Sequence, residues 1–338
     1  MKNLKYFFLT ALMFCLLAPA GTVQARDLIF QLGYNMLEVI DGETDTVTGN
    51  IPLKGWTRAY TVLPGDKRMV VAASRRYLHV VDTENLKLLK TLDISKGKDG
   101  WERFEFGITS AGDGKTIYAN LVGRRTEGGE VVIAEPILAQ IDLETGEILR
   151  SIEVPRGIFQ LLLVNGGKEV YAIGQDLFKV DVTGQEMKMA GTHPMFDRGM
   201  NIFPLWHYTY ESAGYFISPY YNMEGCGLLE IDTHTGAIKE SMVEGGVPFV
   251  YSFIYSPDRS TIYGGMDEVY KLDAKTRTIT DHAIIDEGTS FGVMISGDGK
   301  KLYAGGSSTV SVFDSETLDL IKVINMETDG MTLVRLTR

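Results

Sequence analysis

Seven aspartates recur along this chain, each closing an alternating strand and opening a short turn, and their spacing limits what the chain can fold into. They stand in "LEVIDGETDTV", "LHVVDTENLKLL", "LAQIDLETGEIL", "LFKVDVTGQEM", "LLEIDTHTGAI", "VYKLDAKTRTI" and "VSVFDSETLDLI". These residues are Asp41, Asp82, Asp142, Asp181, Asp232, Asp273 and Asp314, at intervals of 41, 60, 39, 51, 41 and 41. A second phrase recurs between them, in "LPGDKRMVVAAS", "SAGDGKTIYAN", "VNGGKEVYAIG", "SPDRSTIYGG" and "SGDGKKLYAGG". Each copy sets a polar turn between two apolar strands. A period in the forties with four short strands per repeat is the signature of a β-propeller blade.

One blade can be written strand by strand as Phe291–Ser296, Lys301–Gly305, Thr309–Phe313 and Leu320–Ile324. The aspartate ends the third strand, where its carboxylate can accept turn N–H groups. Seven carboxylates at equivalent corners cannot converge on one substrate, so turn-making is their expected role. Before Thr57 there is room for three strands, Leu28–Leu32, Met36–Ile40 and Val47–Leu53, and after Ile324 for one more, Met331–Leu336. The expectation is therefore an all-β, seven-bladed β-propeller of four-stranded blades. Its ring is closed by the C-terminal strand pairing with the N-terminal blade, which removes an open edge. One propeller domain, residues 26–338, follows a signal segment at residues 1–25.

That signal reading rests on Lys2 and Lys5, the apolar run Tyr6–Ala18 and the small residues of Val23-Gln24-Ala25. The apolar run is shorter than the roughly 20 residues a membrane span needs. A cut after Ala25 and a periplasmic location are expected. The remaining chain would carry 31 basic and 44 acidic residues, a net charge of −13. Such a surface repels phosphate backbones and anionic lipid, so neither nucleic acid nor a membrane is an expected partner. Cys15 leaves with the signal, and Cys226 alone cannot build a disulfide framework.

The two longer intervals locate insertions, "VGRRTEGGEVVIAE" at Val122–Glu135 and the aromatic-rich Gly191–Gly227. Loops on a repeat scaffold are where partners and ligands are met. Trp206, Tyr208, Tyr210, Tyr220 and Tyr221 in the second insertion are candidates for a partner interface or pocket wall, against the plainer reading of core packing between blades. Arg124 and Arg125 in the first are candidate contacts, or a solvated pair. The five histidines, His79, His193, His207, His234 and His282, make no metal or haem-attachment pattern. No nucleophile elbow, phosphate loop or dinucleotide fingerprint occurs. No catalytic, cofactor-binding or metal-ligating residue is expected in this chain.

The whole chain after the signal resembles the β subunit of quinohemoprotein amine dehydrogenase, a periplasmic bacterial oxidoreductase. The resemblance runs from "MLEVIDGET" through "LYAGG" and "VSVFDSETL" to "MTLVRLTR", with "VYAIGQDLFKVD" and "GLLEIDTHTGAI" especially similar. It implies a heterotrimer with a dihaem cytochrome subunit carrying two c-type haems and a small subunit carrying cysteine tryptophylquinone. The complex oxidises primary amines to aldehydes and ammonia, and the propeller supports the quinone-bearing subunit. Two other functions compete with it: a stand-alone periplasmic propeller that binds a protein or small ligand, and a propeller enzyme such as a lactonase. The last needs a metal cluster that the sequence does not place.

Overall fold

The computed structural model describes residues 26–97, 99–202 and 214–338. Their strands follow from alternation: every second side chain is Val, Ile, Leu or aromatic, and turns rich in Gly, Asp and Asn interrupt them. The N-terminal region forms β1 (Asp27–Asp41), β2 (Thr46–Val62), β3 (Arg68–Ala73), β4 (Tyr77–Asp82) and β5 (Lys87–Asp93). Next come β6 (Glu102–Ser110), β7 (Thr116–Glu127), β8 (Glu130–Ile133), β9 (Ile137–Asp142) and β10 (Ile148–Glu153). A four-stranded sheet then holds β11 (Gln160–Val164), β12 (Glu169–Ile173), β13 (Leu177–Asp181) and β14 (Lys188–His193). It is followed by β15 (Tyr215–Asn222), β16 (Gly225–Asp232) and β17 (Ile238–Met242), three strands among the described residues.

Two further four-stranded sheets complete the order. One is β18 (Ser252–Tyr255), β19 (Thr261–Gly265), β20 (Glu268–Asp273) and β21 (Ile279–Ile284). The other is β22 (Gly292–Ile295), β23 (Lys301–Gly305), β24 (Thr309–Asp314) and β25 (Leu320–Asn325), after which β26 (Gly330–Thr337) returns to the start. The blade written from sequence is matched almost residue for residue by β22 to β25. The insertion at Val122–Glu135 is not a loose loop, since β7 runs on to Glu127 and β8 folds back on it.

The expected count of seven blades is corrected. The strands form six hydrogen-bonded sheets, a six-bladed β-propeller, because β26-β1-β2-β3-β4-β5 is one six-stranded sheet. The sequence reading broke the chain between Leu53 and Thr57, but β2 continues through that point. Its first part pairs with β1 as far as Tyr34↔Trp56, and its second part pairs with β3 from Thr57↔Ala73 onward. The backbone at the expected break is held by side chains: Gly55 N–H donates to Asn35 Oδ1 at 2.8 Å and Trp56 N–H to Ser74 Oγ at 3.0 Å. With those groups satisfied, nothing forces the strand to end.

Closure occurs as the sequence implied. β26 pairs antiparallel with the start of β1, from Asp27↔Thr337 to Leu32↔Thr332, and Arg26 and Arg338 exchange backbone hydrogen bonds at 2.8 and 2.7 Å. Most cores lie between neighbouring sheets, while one lies between the two halves of the six-stranded sheet, joining Phe30 and Val39 to Met69 and Val81. Of the others, one packs Ile29 and Ile40 of β1 against Leu302, Tyr303 and Leu333, and another packs Val70 and Leu78 against Ile108, Ile117 and Ile141. Each fully buried aliphatic side chain contributes about 1.5–3 kcal/mol, which makes these seams the main cohesion of the ring.

The recurring tyrosine of the second phrase fastens three of the seams. Tyr171 Oη donates to Gly236 O at 2.8 Å, Tyr263 Oη to Ser315 O at 2.9 Å, and Tyr303 Oη to Asp45 Oδ1 at 2.8 Å. In each case the acceptor lies in the aspartate turn of the following repeat. Phrase one thus builds the turn, and phrase two grips it.

Candidate functional site

The seven aspartates are consumed locally. Asp142 Oδ1 accepts the N–H groups of Glu144 and Thr145 at 2.8 and 2.7 Å, and Asp273 those of Lys275 and Thr276 at 3.0 and 2.7 Å. Asp41, Asp82, Asp232 and Asp314 repeat the pattern, while Asp181 bonds Thr183 through both its N–H and its hydroxyl. In Asp142, Asp232, Asp273 and Asp314, the N–H three residues on is the largest influence holding the carboxyl below its ordinary range. These groups make turns and have no free lone pairs directed at a common point.

A different set of side chains gathers where β2, the β3–β4 turn, β6 and β7 meet. Arg124 lies over the Phe104 ring at 4.8 Å and Arg125 over Trp101 at 4.2 Å. Arg75 covers Phe106 at 4.1 Å, while Arg76 and Lys54 both face Tyr77, at 4.9 and 4.6 Å. Such cation–π pairs stabilise exposed cations by about 0.5–1 kcal/mol each and fix their heads in place. Trp56, 48% exposed, stands on the same stretch of β2.

The turn that presents Arg75 is unusual. Ser74 and Arg75 both adopt positive φ, 49° and 57°, and Arg76 N–H closes the turn onto Ala73 O at 3.1 Å. That is the geometry of the tight hairpin turn normally filled by Asn-Gly. Left-handed backbone costs an ordinary residue roughly 1–2 kcal/mol. The turn is braced by Glu105 N–H, which donates to Arg75 O at 2.8 Å.

Glu105 is the buried member of the cluster, 2% exposed. Burial pushes its carboxyl up to about 7, against the opposing pull of the Gly107 N–H and of Arg75 and Arg58. Its Oε1 is buried without a hydrogen-bond partner. Gly107 sits at the bulge where β6 shifts register, and a Cβ there would meet Phe159 O at 2.7 Å. Burial and the nearby Arg58 charge make the Arg75 guanidinium less basic than usual, with Glu105 opposing. Sequence reasoning missed this group. "WERFEFG" reads as an amphipathic strand with its phenylalanines on one face and Glu105 on the other, and nothing in that pattern marks Glu105 as buried.

The candidates named from sequence fall in different places. Arg124 and Arg125 join the cation–aromatic edge, where they also pair with Glu102 (2.7 Å) and Glu127, respectively. Tyr220 is buried in the core with its hydroxyl 3.5 Å from Met242 Sδ. Tyr221 donates to Pro248 O and Val250 O at 3.0 Å, receives Val250 N–H at 2.8 Å, and stacks on the exposed Phe249 ring at 5.8 Å. Trp206, Tyr208 and Tyr210 lie outside the described residues. Tyr220 and Tyr221 are therefore on β15, away from the edge built by β2, β6 and β7.

Other ionisable groups have structural partners. His79 is fully buried, with Nδ1 2.9 Å from Thr91 Oγ1 and Nε2 3.0 Å from Lys54 O. Cys226 is buried, and its thiol is pushed up to about 12 by desolvation. Among the described residues, no three His, Cys, Asp or Glu side chains gather as they would around a metal ion. Along β2, β6 and β11, a groove of about 440 Å³ runs past Tyr60, Thr61, Ile108, Thr109, Gln160 and Leu161.

No family model and no curated protein matches the chain. Solved structures do. A hydrazine synthase from Kuenenia stuttgartiensis superposes with a TM-score of 0.59 at 17% identity, over 84% of this chain and 90% of that one. The dihydro-heme d1 dehydrogenase NirN gives 0.57 at 13% identity, covering 91% of this chain and 74% of its own. AztD from Citrobacter koseri gives 0.55 at 12% identity over 93% and 98% of the two chains. At these identities the similarity establishes the propeller architecture and nothing finer.

Proposed function

We propose that this chain is a non-catalytic propeller subunit of a periplasmic redox complex, and more finely the propeller subunit of a quinohemoprotein amine dehydrogenase. The observation that carries the reading is the division of labour among polar side chains. The repeat aspartates are spent on turns, while arginines, some of them paired with neighbouring carboxylates, are displayed together with aromatic rings at the edge of β2, β6 and β7. That is the composition of a docking surface, where Trp, Tyr and Arg dominate the binding energy. The finer assignment is supported by the sequence resemblance along the whole chain after the signal. Two of the similar folds bear the names of redox enzymes, which favours the same direction.

On this reading the partners are a dihaem cytochrome and a small subunit carrying cysteine tryptophylquinone. The chain itself holds no cofactor and, after loss of residues 1–25, works in the periplasm. The test is to express the chain with signal segment intact beside its neighbouring genes and purify it gently. Recovery with a haem-bearing partner and amine-dependent dye reduction is expected. Arg124→Glu combined with Arg125→Glu should reduce the recovered complex without shifting the unfolding midpoint. A solitary chain, with no haem-bearing partner under the gentlest conditions, would instead favour a stand-alone binding propeller.

A further inference from the structure

β7 and β8 form a tight hairpin whose outer edge no described strand covers. Its turn is Gly128-Gly129, both at positive φ (57° and 91°), the two-residue geometry that fixes the register of a hairpin. Glu127 and Glu130 flank that turn as its first hydrogen-bonded pair, and such pairs then alternate along the strand. Arg125↔Val132 is the next, and Ala134 N–H continues the series to Gly123 O at 2.8 Å. The N–H and C=O groups of Val131 and Ile133 therefore point away from β7. β8 and β9 run one after the other along the same side of β7, and β10 covers only β9. Val154 N–H makes the last rung there, to Pro136 O at 2.9 Å, and the chain then turns toward β11.

Open strand edges are ordinarily guarded by a charge, a proline or a bulge. The outermost strand of each sheet obeys this rule, with Lys90 in β5, Arg150 in β10, Lys188 in β14, Lys239 in β17, Asp281 in β21 and Lys322 in β25. β8 does not. Val131-Val132-Ile133 carries no charge, and Val131 and Ile133 are 65% and 45% exposed. The other face of the hairpin is covered, because the Trp101 ring lies against Gly123 and under the Arg125 guanidinium. We propose that β8 is a docking edge for an extended segment of a partner subunit, which adds a strand beside Val131–Ile133.

The edge itself states the chemistry of its occupant. Outward main-chain N–H and C=O groups are answered by another main chain, as in strand addition to a sheet. Alternate apolar side chains of the incoming strand lie beside Val131 and Ile133, on the face that also shows Phe104 and Arg124. A second copy of this chain is a poorer fit, because two four-residue strands side by side cover far less than the roughly 1,200 Å² of a stable interface. A partner that also covers the cation–aromatic edge supplies the remainder, since Arg124 and Arg125 stand opposite β8 on β7. The Gly-Gly turn sets the edge before the partner arrives, so little conformational freedom is lost on docking. The inference rests on the docking role proposed above and names the contact through which it is made.

Hydrogen exchange read at single amides, in the chain alone and in the complex recovered with its haem-bearing partner, tests the edge. In the chain alone the Val131 and Ile133 amides should exchange fast, while Val132 and Ala134 are held by the hairpin. In the complex the Val131 and Ile133 amides should slow by about a hundredfold or more, which contact through side chains alone would not produce. Val131→Pro removes an outward N–H and leaves the hairpin its own bonds, so the recovered complex should fall about tenfold. Ile133→Lys keeps its amide but guards the edge, and should act in the same direction even if the proline variant fails to fold. A complex in which both amides still exchange fast, or one recovered undiminished with Ile133→Lys, overturns the docking edge and leaves the subunit reading intact. Recovery of no haem-bearing partner overturns both. Protection in the chain alone that grows with its concentration assigns the edge to a second copy and overturns the partner.

Discussion

The seam between β23 and the start of the chain and the edge where β2 meets β6 both combine cations, carboxylates and aromatic rings, yet they behave in opposite ways. At the seam, Lys301 Nζ reaches Asp45 Oδ2 at 2.6 Å and Gly42 O at 3.0 Å, and Lys322 Nζ reaches Asp45 O at 2.6 Å. Tyr303, fully buried, adds its hydroxyl to Asp45. Every cation there is answered by an oxygen of the chain. At the edge, Arg75 lies over the Phe106 ring at 4.1 Å, and among the described residues it has no carboxylate oxygen within 4.0 Å. A saturated cluster holds the ring together, whereas an unsaturated one is available to something outside it. Burial and partner count, not residue identity, separate structural from functional charge.

The sharpest way to break this contrast is at the seam. Tyr303→Ala removes a fully buried ring and its hydrogen bond, and should lower unfolding free energy by about 3–5 kcal/mol in urea melts. If the loss is below about 1 kcal/mol, the seam is not the clamp described here.

The next effect belongs to Glu105. Its folded carboxyl titrates at about 7 against 4.5 when exposed, so the native state holds a proton that the unfolded chain releases between those values. Stability contributed by this group is present below about pH 4.5 and is lost as pH rises through about 7, by about 3 kcal/mol. Glu105→Gln should flatten that slope when unfolding free energy is compared at about pH 5 and about pH 8. An equal slope in both proteins would place the titration elsewhere.

Smaller is Tyr303→Phe, which keeps the ring and deletes only the hydroxyl. A loss of about 1–3 kcal/mol is expected because Asp45 Oδ1 is left short of a donor. Smallest of all is Arg58→Gln, which should change stability by less than about 0.5 kcal/mol. A larger loss in thermal or urea unfolding would show that Arg58 works for the fold, and the two regions would no longer differ in kind.

Much of this was legible in the sequence for a definite reason. Asp-Gly and Asp-x-Thr turns act over three or four residues, so their chemistry is local, and the role read for Asp142 or Asp273 is the one their hydrogen bonds show. Closure was legible too, since "MTLVRL" alternates like a strand and leaves no other edge to fill. The number of sheets was not. It depends on whether β2 continues past Gly55, and that is decided by Asn35 and Ser74, distant residues whose side chains hold its backbone. Glu105 was hidden for a similar reason. Nothing in "RFEFG" says that the middle residue is buried, because its place is set by a turn distant in sequence, whose Arg75 carbonyl accepts its N–H.

The return of β26 to β1 has a consequence for biosynthesis. Until β26 has been made, β1 has its permanent neighbour on one side only, and its other flank must wait unpaired. Sheets in the middle of the chain have no such delay, for their strands are neighbours in time as well as in space. β1 is therefore made long before its second flank is sealed, and any factor that shields unfolded chains has much to protect at Asp27–Leu32.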